Sequence, residues 1–260
     1  MNSISVNQEK SKRTGVKFSF QSILMLMAAI MMAFATLTSC DEDEDPSEDP
    51  DEIENGNNGG VAGKRIITTL TESASETFRG DYTYNSNGTL KRIDYYDPST
   101  SKLVRYSITT SNSDGTVAKE ELFDTWGDWV FNYSYGSNKK PLKVEGYAIT
   151  DGIKTPVTID FTFQNGRLTS SIQKTGTPGD YSYRVNTYEP VYDSNGRRTS
   201  TTETDSALGQ RKFTRTYNSD GTLQKVTTDG YQGFPNTGYT VTYTWENGKT
   251  TVNTDDYSAL

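Results

Sequence analysis

The phrase Tyr217-Asn218-Ser219-Asp220-Gly221-Thr222-Leu223 decides the fold, because related phrases recur along the chain. An Asn or Asp at the first turn position can hydrogen-bond the backbone two residues further on. Ser and Asp then suit a type I turn, and the glycine supplies the left-handed residue that closes a bulged hairpin. Thr restarts a strand, so each copy of the phrase predicts one β-hairpin.

Seven copies of this phrase, one of them weak, lie between residues 84 and 249. The turn glycines are 27, 51, 30, 25 and 27 residues apart, and the weak copy occupies the middle of the longest interval. A period near 27 with one such turn leaves room for about two strands per repeat. The copies are Tyr84–Leu90, Ser111–Val117, Tyr135–Leu142, Phe163–Leu168, Tyr192–Arg197, Tyr217–Leu223 and Trp245–Lys249.

The strands that flank the turns alternate as β-strands do, with Tyr239, Val241 and Tyr243 on one face and threonines on the other. Residues 64–260 are therefore predicted to be all-β, an antiparallel up-and-down meander of about 12–14 strands. Closing into a barrel hides both edges, so a closed or nearly closed barrel is expected. An open twisted sheet or a flattened sandwich is the alternative. Because aliphatic residues are sparse and all 17 tyrosines lie in this region, tyrosine is predicted to be the main core residue.

The N-terminal 39 residues are predicted to be a lipoprotein signal peptide. A basic leader precedes an apolar stretch at 22–37, and that stretch is short for a membrane-spanning helix. The following Leu37-Thr38-Ser39-Cys40 resembles the bacterial lipobox. This resemblance implies cleavage before Cys40, lipidation of its thiol, and a bilayer as partner. An uncleaved anchor is the alternative.

Residues 40–63 are predicted to be a disordered tether. Ten acids and no base lie within 41–54, and an Asn/Gly run follows, so the segment cannot bury enough apolar surface to fold. An acidic run behind a lipidated cysteine resembles the export signal of Bacteroides-type surface lipoproteins. The resemblance implies an outer-membrane protein, lipid-anchored and facing the cell exterior. A plain solvated spacer is the alternative.

Composition excludes several kinds of chemistry. The net charge of -8 comes from the tether, since residues 55–260 carry 22 basic and 23 acidic residues, and no nucleic-acid-binding face is expected. One cysteine excludes an intrachain disulfide, and the absence of histidine removes Ser-His and Cys-His pairs and the usual zinc ligands. A non-enzyme without cofactor or metal is predicted, and a hydrolase using two carboxylates is the remote alternative.

Two aromatic-rich connections are the candidate ligand-binding sites. One contains Trp126 and Trp129, and the other contains Tyr231 and Phe234. Exposed rings beside Asp and Asn form a natural platform for a sugar, whose apolar face stacks on the ring. The alternative is that these rings fill the barrel or cap its ends.

The phrase at Tyr192–Arg197 is similar to the YD repeat of Rhs-type and teneurin shells. The whole layout of lipobox, acidic tether and hairpins resembles Bacteroides-type surface lipoproteins that carry a domain of unknown function with a porin-like fold. That resemblance implies an up-and-down barrel of soluble character and no catalytic residues. The favoured hypothesis is a non-catalytic surface module that binds a glycan or a partner protein. A structural envelope lipoprotein without a soluble ligand is the alternative.

Overall fold

The computed structural model describes residues 63–125 and 127–248. The predicted signal peptide, Cys40, the tether up to residue 62, Trp126 and residues 249–260 lie outside the described residues. Fourteen strands and one short 3-10 helix (Pro235–Thr237) make up the described part. The strands are β1 (Lys64–Ser73), β2 (Thr77–Tyr84), β3 (Leu90–Asp97), β4 (Lys102–Ser111), β5 (Val117–Asp124), β6 (Gly127–Tyr135), β7 (Pro141–Thr150), β8 (Ile153–Gln164), β9 (Arg167–Thr177), β10 (Asp180–Tyr192), β11 (Arg198–Asp205), β12 (Gly209–Tyr217), β13 (Leu223–Thr228) and β14 (Tyr239–Asn247).

Every strand pairs antiparallel with its neighbours in the chain, and β1 pairs with β14 to close the barrel. The predicted all-β meander of 12–14 strands is thus confirmed with fourteen, and the open-sheet and sandwich alternatives are wrong. Among the described residues, no helix has the length and apolar character needed to cross a membrane.

The repeated phrase folds almost identically in three copies. In the copy that begins at Asn218, its side-chain amide donates to the Thr222 hydroxyl at 2.8 Å, and the Gly221 N–H donates to the Asn218 carbonyl at 3.0 Å. Asp220 accepts both the N–H and the hydroxyl of Thr222, at 3.0 and 2.6 Å. The copies at 85–89 and 112–116 repeat these bonds.

Among the copies that the structure describes in full, the predicted backbone bond from the first turn residue occurs at Asp193, whose carboxylate accepts the N–H of Asn195 at 2.9 Å. In the three copies whose turn begins with Asn that prediction is wrong. There the side-chain amide of the Asn donates to the hydroxyl of the Thr that ends the turn, and the third turn residue accepts the backbone N–H of that Thr. The predicted left-handed glycine is present, for example at Gly221 with φ of 85°.

A bulge follows each of these turns. The pairing register slips by one residue on the strand after the turn, as at Tyr217↔Leu223, and a slip of the same kind occurs where β14 meets β1, at Trp245↔Ile66. The slip places the residue before the turn and the first residue after it on the same inward face. Because each repeat holds two strands, the six turns of this kind that join described strands lie at one end of the barrel, together with the start of β1 and the end of β14. We call this the glycine-turn end, and the seven other connections form the opposite end. The seventh copy of the phrase begins at the end of β14, which pairs with β1, so the hairpin predicted for it lies outside the described residues.

Among the described residues, buried apolar side chains form four clusters on the inside of the barrel wall. The largest cluster of buried apolar side chains comes from β5–β10 and includes Trp129, Phe131 and Val144. Gly146 is required there, since an added Cβ would lie 1.8 Å from the Val130 carbonyl oxygen. Tyr95, Tyr133, Tyr188 and Tyr231 are buried, but aliphatic residues and phenylalanines fill more of the core than the tyrosine-rich prediction implied.

The outer face of the barrel carries charged pairs in the middle of its strands. Arg92 and Asp94 form such a pair on β3 at 2.5 Å, and Lys119 with Glu121 forms one on β5 at 2.8 Å. Lys143 and Glu145 pair in the same way on β7. Charged side chains that face lipid near the bilayer midplane cost about 2–4 kcal/mol each. This outer face therefore suits water rather than a lipid bilayer.

Candidate functional site

A ring of aromatic side chains lines the inside of the glycine-turn end. The residue before the turn is aromatic in six of the seven repeats, and each of these rings is half-buried. Four of the six pair with a buried apolar residue after the turn, Trp245 pairs with the buried Ile66 of β1, and Tyr192 pairs with Arg198. We call this set the mouth ring, and its members are Tyr84, Tyr135, Phe163, Tyr192, Tyr217 and Trp245.

The polar atoms of three ring members bind the backbone of the preceding strand. The Tyr84 hydroxyl donates to the Ile66 carbonyl at 2.8 Å, and the Tyr217 hydroxyl donates to the Arg198 carbonyl at 2.8 Å. The indole N–H of Trp245 donates to the Leu223 carbonyl at 2.7 Å. These bonds hold the three rings in fixed positions at the mouth.

Four members of the mouth ring have a cation beside the ring. The guanidinium carbon of Arg167 is 4.4 Å from the centre of the Tyr192 ring, and that of Arg197 is 5.1 Å from the centre of Tyr217. Arg65 lies beside Tyr84 and Lys140 beside Phe163, at 5.2 and 5.7 Å. Such contacts are stabilising by about 0.5–1 kcal/mol each at exposed sites. The glycine-turn end is thus both aromatic and basic.

Charge is divided between the two ends of the barrel. Counting each connection with two residues of every flanking strand, the described glycine-turn end carries eight basic and four acidic residues, a formal net charge of +4. The opposite end carries two basic and nine acidic residues, a formal net charge of -7. The basic residues of the glycine-turn end are Lys64, Arg65, Lys91, Lys139, Lys140, Arg167, Arg197 and Arg198, and its acids are Asp114, Asp193, Asp220 and Glu246.

The acids of the glycine-turn end are already bound to neighbouring groups. Asp220 and Asp114 are held by threonines of their own turns, whose hydrogen bonds lower the pKa of both carboxyls. Asp193 pairs with Arg197 at 2.8 Å, and Glu246 pairs with Arg65 at 2.6 Å. A strand of eight to ten residues spans roughly 25–30 Å, beyond the Debye length of about 8 Å, so the acidic opposite end does not cancel the positive potential here.

Three arginines, Arg167, Arg197 and Arg198, belong to the part of the mouth formed by β9, β10 and β11. Arg167 is exposed and stacks on Tyr192, which is also the cross-strand partner of Arg198. Arg198 is 8% exposed, and its Nε and Nη2 have neither a hydrogen-bond partner nor contact with solvent. Arg197 is paired with Asp193. We call Arg167, Tyr192 and Arg198 the arginine sector.

The opposite end is filled near β11 and β12 by the connection between β13 and β14. Tyr231 of this connection is 1% exposed, and its hydroxyl donates to Glu203 at 3.2 Å. Glu203 also accepts a 2.6 Å bond from Arg211, whose guanidinium carbon lies 4.3 Å from the Tyr231 ring centre. Burial raises the pKa of Tyr231, so its hydroxyl stays protonated as a donor. This arrangement pairs the buried Glu203 carboxylate with Arg211 and acts as a structural plug.

Glu120 is a buried carboxyl on the inward face of β5. It is 3% exposed and accepts one 3.0 Å hydrogen bond from the Tyr133 hydroxyl. Burial raises the pKa of Glu120 to about 8, against the lowering effect of the Tyr133 bond. The group is therefore mostly protonated at neutral pH.

The residues predicted as ligand-binding do not form one site. Trp129 is 5% exposed inside the barrel and Tyr231 is buried, so neither ring offers the exposed sugar platform expected of it. Phe234 is 42% exposed, whereas Trp126 lies outside the described residues. The two connections also lie on opposite walls, because β6 and β13 are seven strands apart in a ring of fourteen. Ligand binding by these residues stays a prediction.

The mouth ring was missed by sequence reasoning, although its signal is present in the chain. The aromatic residue directly before the turn recurs with the phrase itself, from Tyr84 to Trp245. The charge division was missed because the two ends nearly cancel when residues 55–260 are summed. Assigning alternate turns to alternate ends would have revealed both.

Comparisons with known proteins return likenesses in structure. No protein-family model and no curated protein matches the chain. A porin-like protein from Bacteroides vulgatus is similar over 70% of this chain and 98% of its own, with 10% identity and a TM-score of 0.40. A porin-like protein from Bacteroides uniformis covers 71% and 96%, with 14% identity and a TM-score of 0.39. The TcdB2-TccC3 structure is similar over 64% of this chain and 10% of its own, with 14% identity and a TM-score of 0.25. The assignment of a closed fourteen-strand barrel comes from the strand pairing of this chain itself.

Proposed function

We propose that the chain is a non-catalytic binding module, anchored by lipid on Cys40 and displayed at the cell surface, which binds a glycan at its glycine-turn end. The mouth ring is the observation that carries this proposal. Six half-buried aromatic rings at one mouth offer the flat apolar surfaces on which sugar rings stack, and side chains beside them supply hydrogen bonds.

The outer face supports anchoring by lipid rather than insertion of the barrel. Mid-strand pairs such as Arg92 with Asp94 would have to be desolvated in a bilayer. A lipidated Cys40 requires no such desolvation, and the tether of residues 41–62 separates the lipid from β1. The proposal of surface display rests on the acidic run behind Cys40.

A glycan array probed with the full chain, purified in detergent, tests the proposal. Tyr192→Leu removes a member of the mouth ring, and Tyr183→Leu is its matched control on the same strand, since Tyr183 is 59% exposed on the outer face. We expect binding that Tyr192→Leu weakens and Tyr183→Leu leaves unchanged.

Two other outcomes would count against the proposal. Loss of binding in Tyr183→Leu alone would place the ligand on the outer face of the barrel. A chain that binds no glycan on the array while remaining folded and membrane-anchored would favour the structural envelope lipoprotein instead.

A further inference from the structure

We infer that the ligand of the glycine-turn end is an acidic glycan, whose carboxylate groups bind the arginine sector. This inference rests on the proposed function and names the class of sugar. It is carried by three observations: the net charge of the mouth, the unpaired donors of Arg198, and the exposed guanidinium of Arg167.

The positive charge of the mouth favours a negatively charged ligand. The described glycine-turn end has a formal net charge of +4, and its four acids are already bound to threonines or arginines. Positive charge that no side chain at this end offsets attracts anions and raises their local concentration. A neutral glycan would gain nothing from this field.

Arg198 supplies the geometry for a carboxylate. Nε and Nη2 form one edge of the guanidinium, the edge that binds both oxygens of a carboxylate side by side. In Arg198 both of these nitrogens lack a partner, although buried polar groups in folded proteins are nearly always hydrogen-bonded. Every other described repeat has an apolar residue at this position, so nothing in the hairpin fold requires an arginine there.

Arg167 and Tyr192 complete the sector. Arg167 is exposed at the mouth, where an incoming carboxylate meets it first. Tyr192 lies between the two arginines, stacked on Arg167 and paired with Arg198. A sugar bound beside Tyr192 and Arg167 would therefore place its carboxylate within reach of both guanidinium groups, once Arg198 turns toward the mouth. The ring supplies stacking and the arginines supply charge.

Titration of the full chain with a galacturonic acid oligosaccharide, and with a galactose oligosaccharide of equal length, tests the inference. The acidic sugar is expected to bind and the neutral one to bind at least tenfold more weakly. Removing one charge-assisted contact weakens binding by roughly ten- to a hundredfold, so Arg167→Gln and Arg198→Gln should each do so. Arg198→Lys keeps the charge but cannot bind both carboxylate oxygens in a bidentate manner, so we expect an intermediate loss of affinity.

The control is Lys212→Gln, which removes an exposed cation from the outer face of β12 and should leave affinity unchanged. A melting curve of each variant establishes that it is folded. Equal binding of the two sugars would overturn the inference while leaving the proposed function intact. So would acidic-sugar binding that Arg167→Gln and Arg198→Gln do not weaken.

Two further probes separate other anions from acidic glycans. Vesicles with anionic lipid and single-stranded DNA also present negative charge, and each is titrated in parallel. If either binds through the arginine sector and the galacturonic acid oligosaccharide does not, the inference is wrong. If no sugar of either kind binds here or on the array, the proposed function itself fails.

Discussion

Glu120 should make the barrel less stable as pH rises, and replacing it by glutamine should remove this effect. Its carboxyl is buried, and Tyr133 is its hydrogen-bond donor. Burial raises its pKa in the folded chain to about 8, whereas the ordinary value of 4.5 applies to the unfolded chain. Glu120→Gln keeps an oxygen to accept the Tyr133 bond but cannot ionise.

The sign and size follow from proton linkage. Below pH 4.5 both states hold the proton, and Glu120 adds no pH dependence. Between 4.5 and about 8 the folded chain keeps a proton that the unfolded chain releases, so the free energy of unfolding falls by about 1.4 kcal/mol per pH unit. The accumulated loss is on the order of 4 kcal/mol at pH 8 and levels off above it. The stability that the barrel has while Glu120 is protonated is thus fully present below pH 4.5 and is lost by about pH 8.

Urea unfolding of the parent and Glu120→Gln at pH 4.5, 6 and 8 measures this effect. The difference in free energy of unfolding should be near zero at pH 4.5 and should grow in favour of the variant toward pH 8. Glu121→Gln is the control, because Glu121 points outward and pairs with Lys119 at 2.8 Å, a surface contact that contributes less than about 1 kcal/mol. A difference that does not change with pH, or a Glu120→Gln variant that is less stable at pH 8, would refute the reasoning.

Two further predictions concern the anchor and the plug. Cys40→Ser should abolish incorporation of labelled fatty acid and move the chain from the membrane fraction to the soluble one; an unchanged distribution would show that the apolar stretch at 22–37 remains as the anchor. Tyr231→Phe removes the hydroxyl that donates to Glu203 and should lower the free energy of unfolding by about 1 kcal/mol, whereas Tyr183→Phe, on the outer face, should not; equal effects in urea unfolding would contradict the role of this bond.

The fold was predictable because its information is local and repeated. Each turn specifies a hairpin through its own side chains, as Asn218, Asp220 and Thr222 do, and the period of about 27 sets two strands per repeat. Closure follows from the need to pair both edges, which β1 and β14 meet by pairing with each other. No long-range information was needed for these steps.

The candidate site was only partly predictable, since burial depends on register and on how connections fold. Trp129 points inward because it pairs with Leu122 across a short turn, and composition does not reveal that register. Tyr231 is buried because its connection folds back into the barrel, where Glu203 and Arg211 bind it. Neither the register of the β5–β6 hairpin nor the folding back of the β13–β14 connection is visible in composition, so an aromatic-rich connection alone could not distinguish an exposed platform from a plug.

The central claim is that ligands bind at the glycine-turn end, and tryptophan fluorescence tests it directly. A variant with Trp126→Phe and Trp129→Phe keeps only Trp245, a member of the mouth ring, as reporter. Its partner variant Trp245→Phe keeps the two tryptophans at and beside the connection between β5 and β6. On titration with a glycan selected on the array, the emission of Trp245 should change to saturation while the partner variant stays silent. A response from Trp126 and Trp129, with no change at Trp245, would contradict the claim.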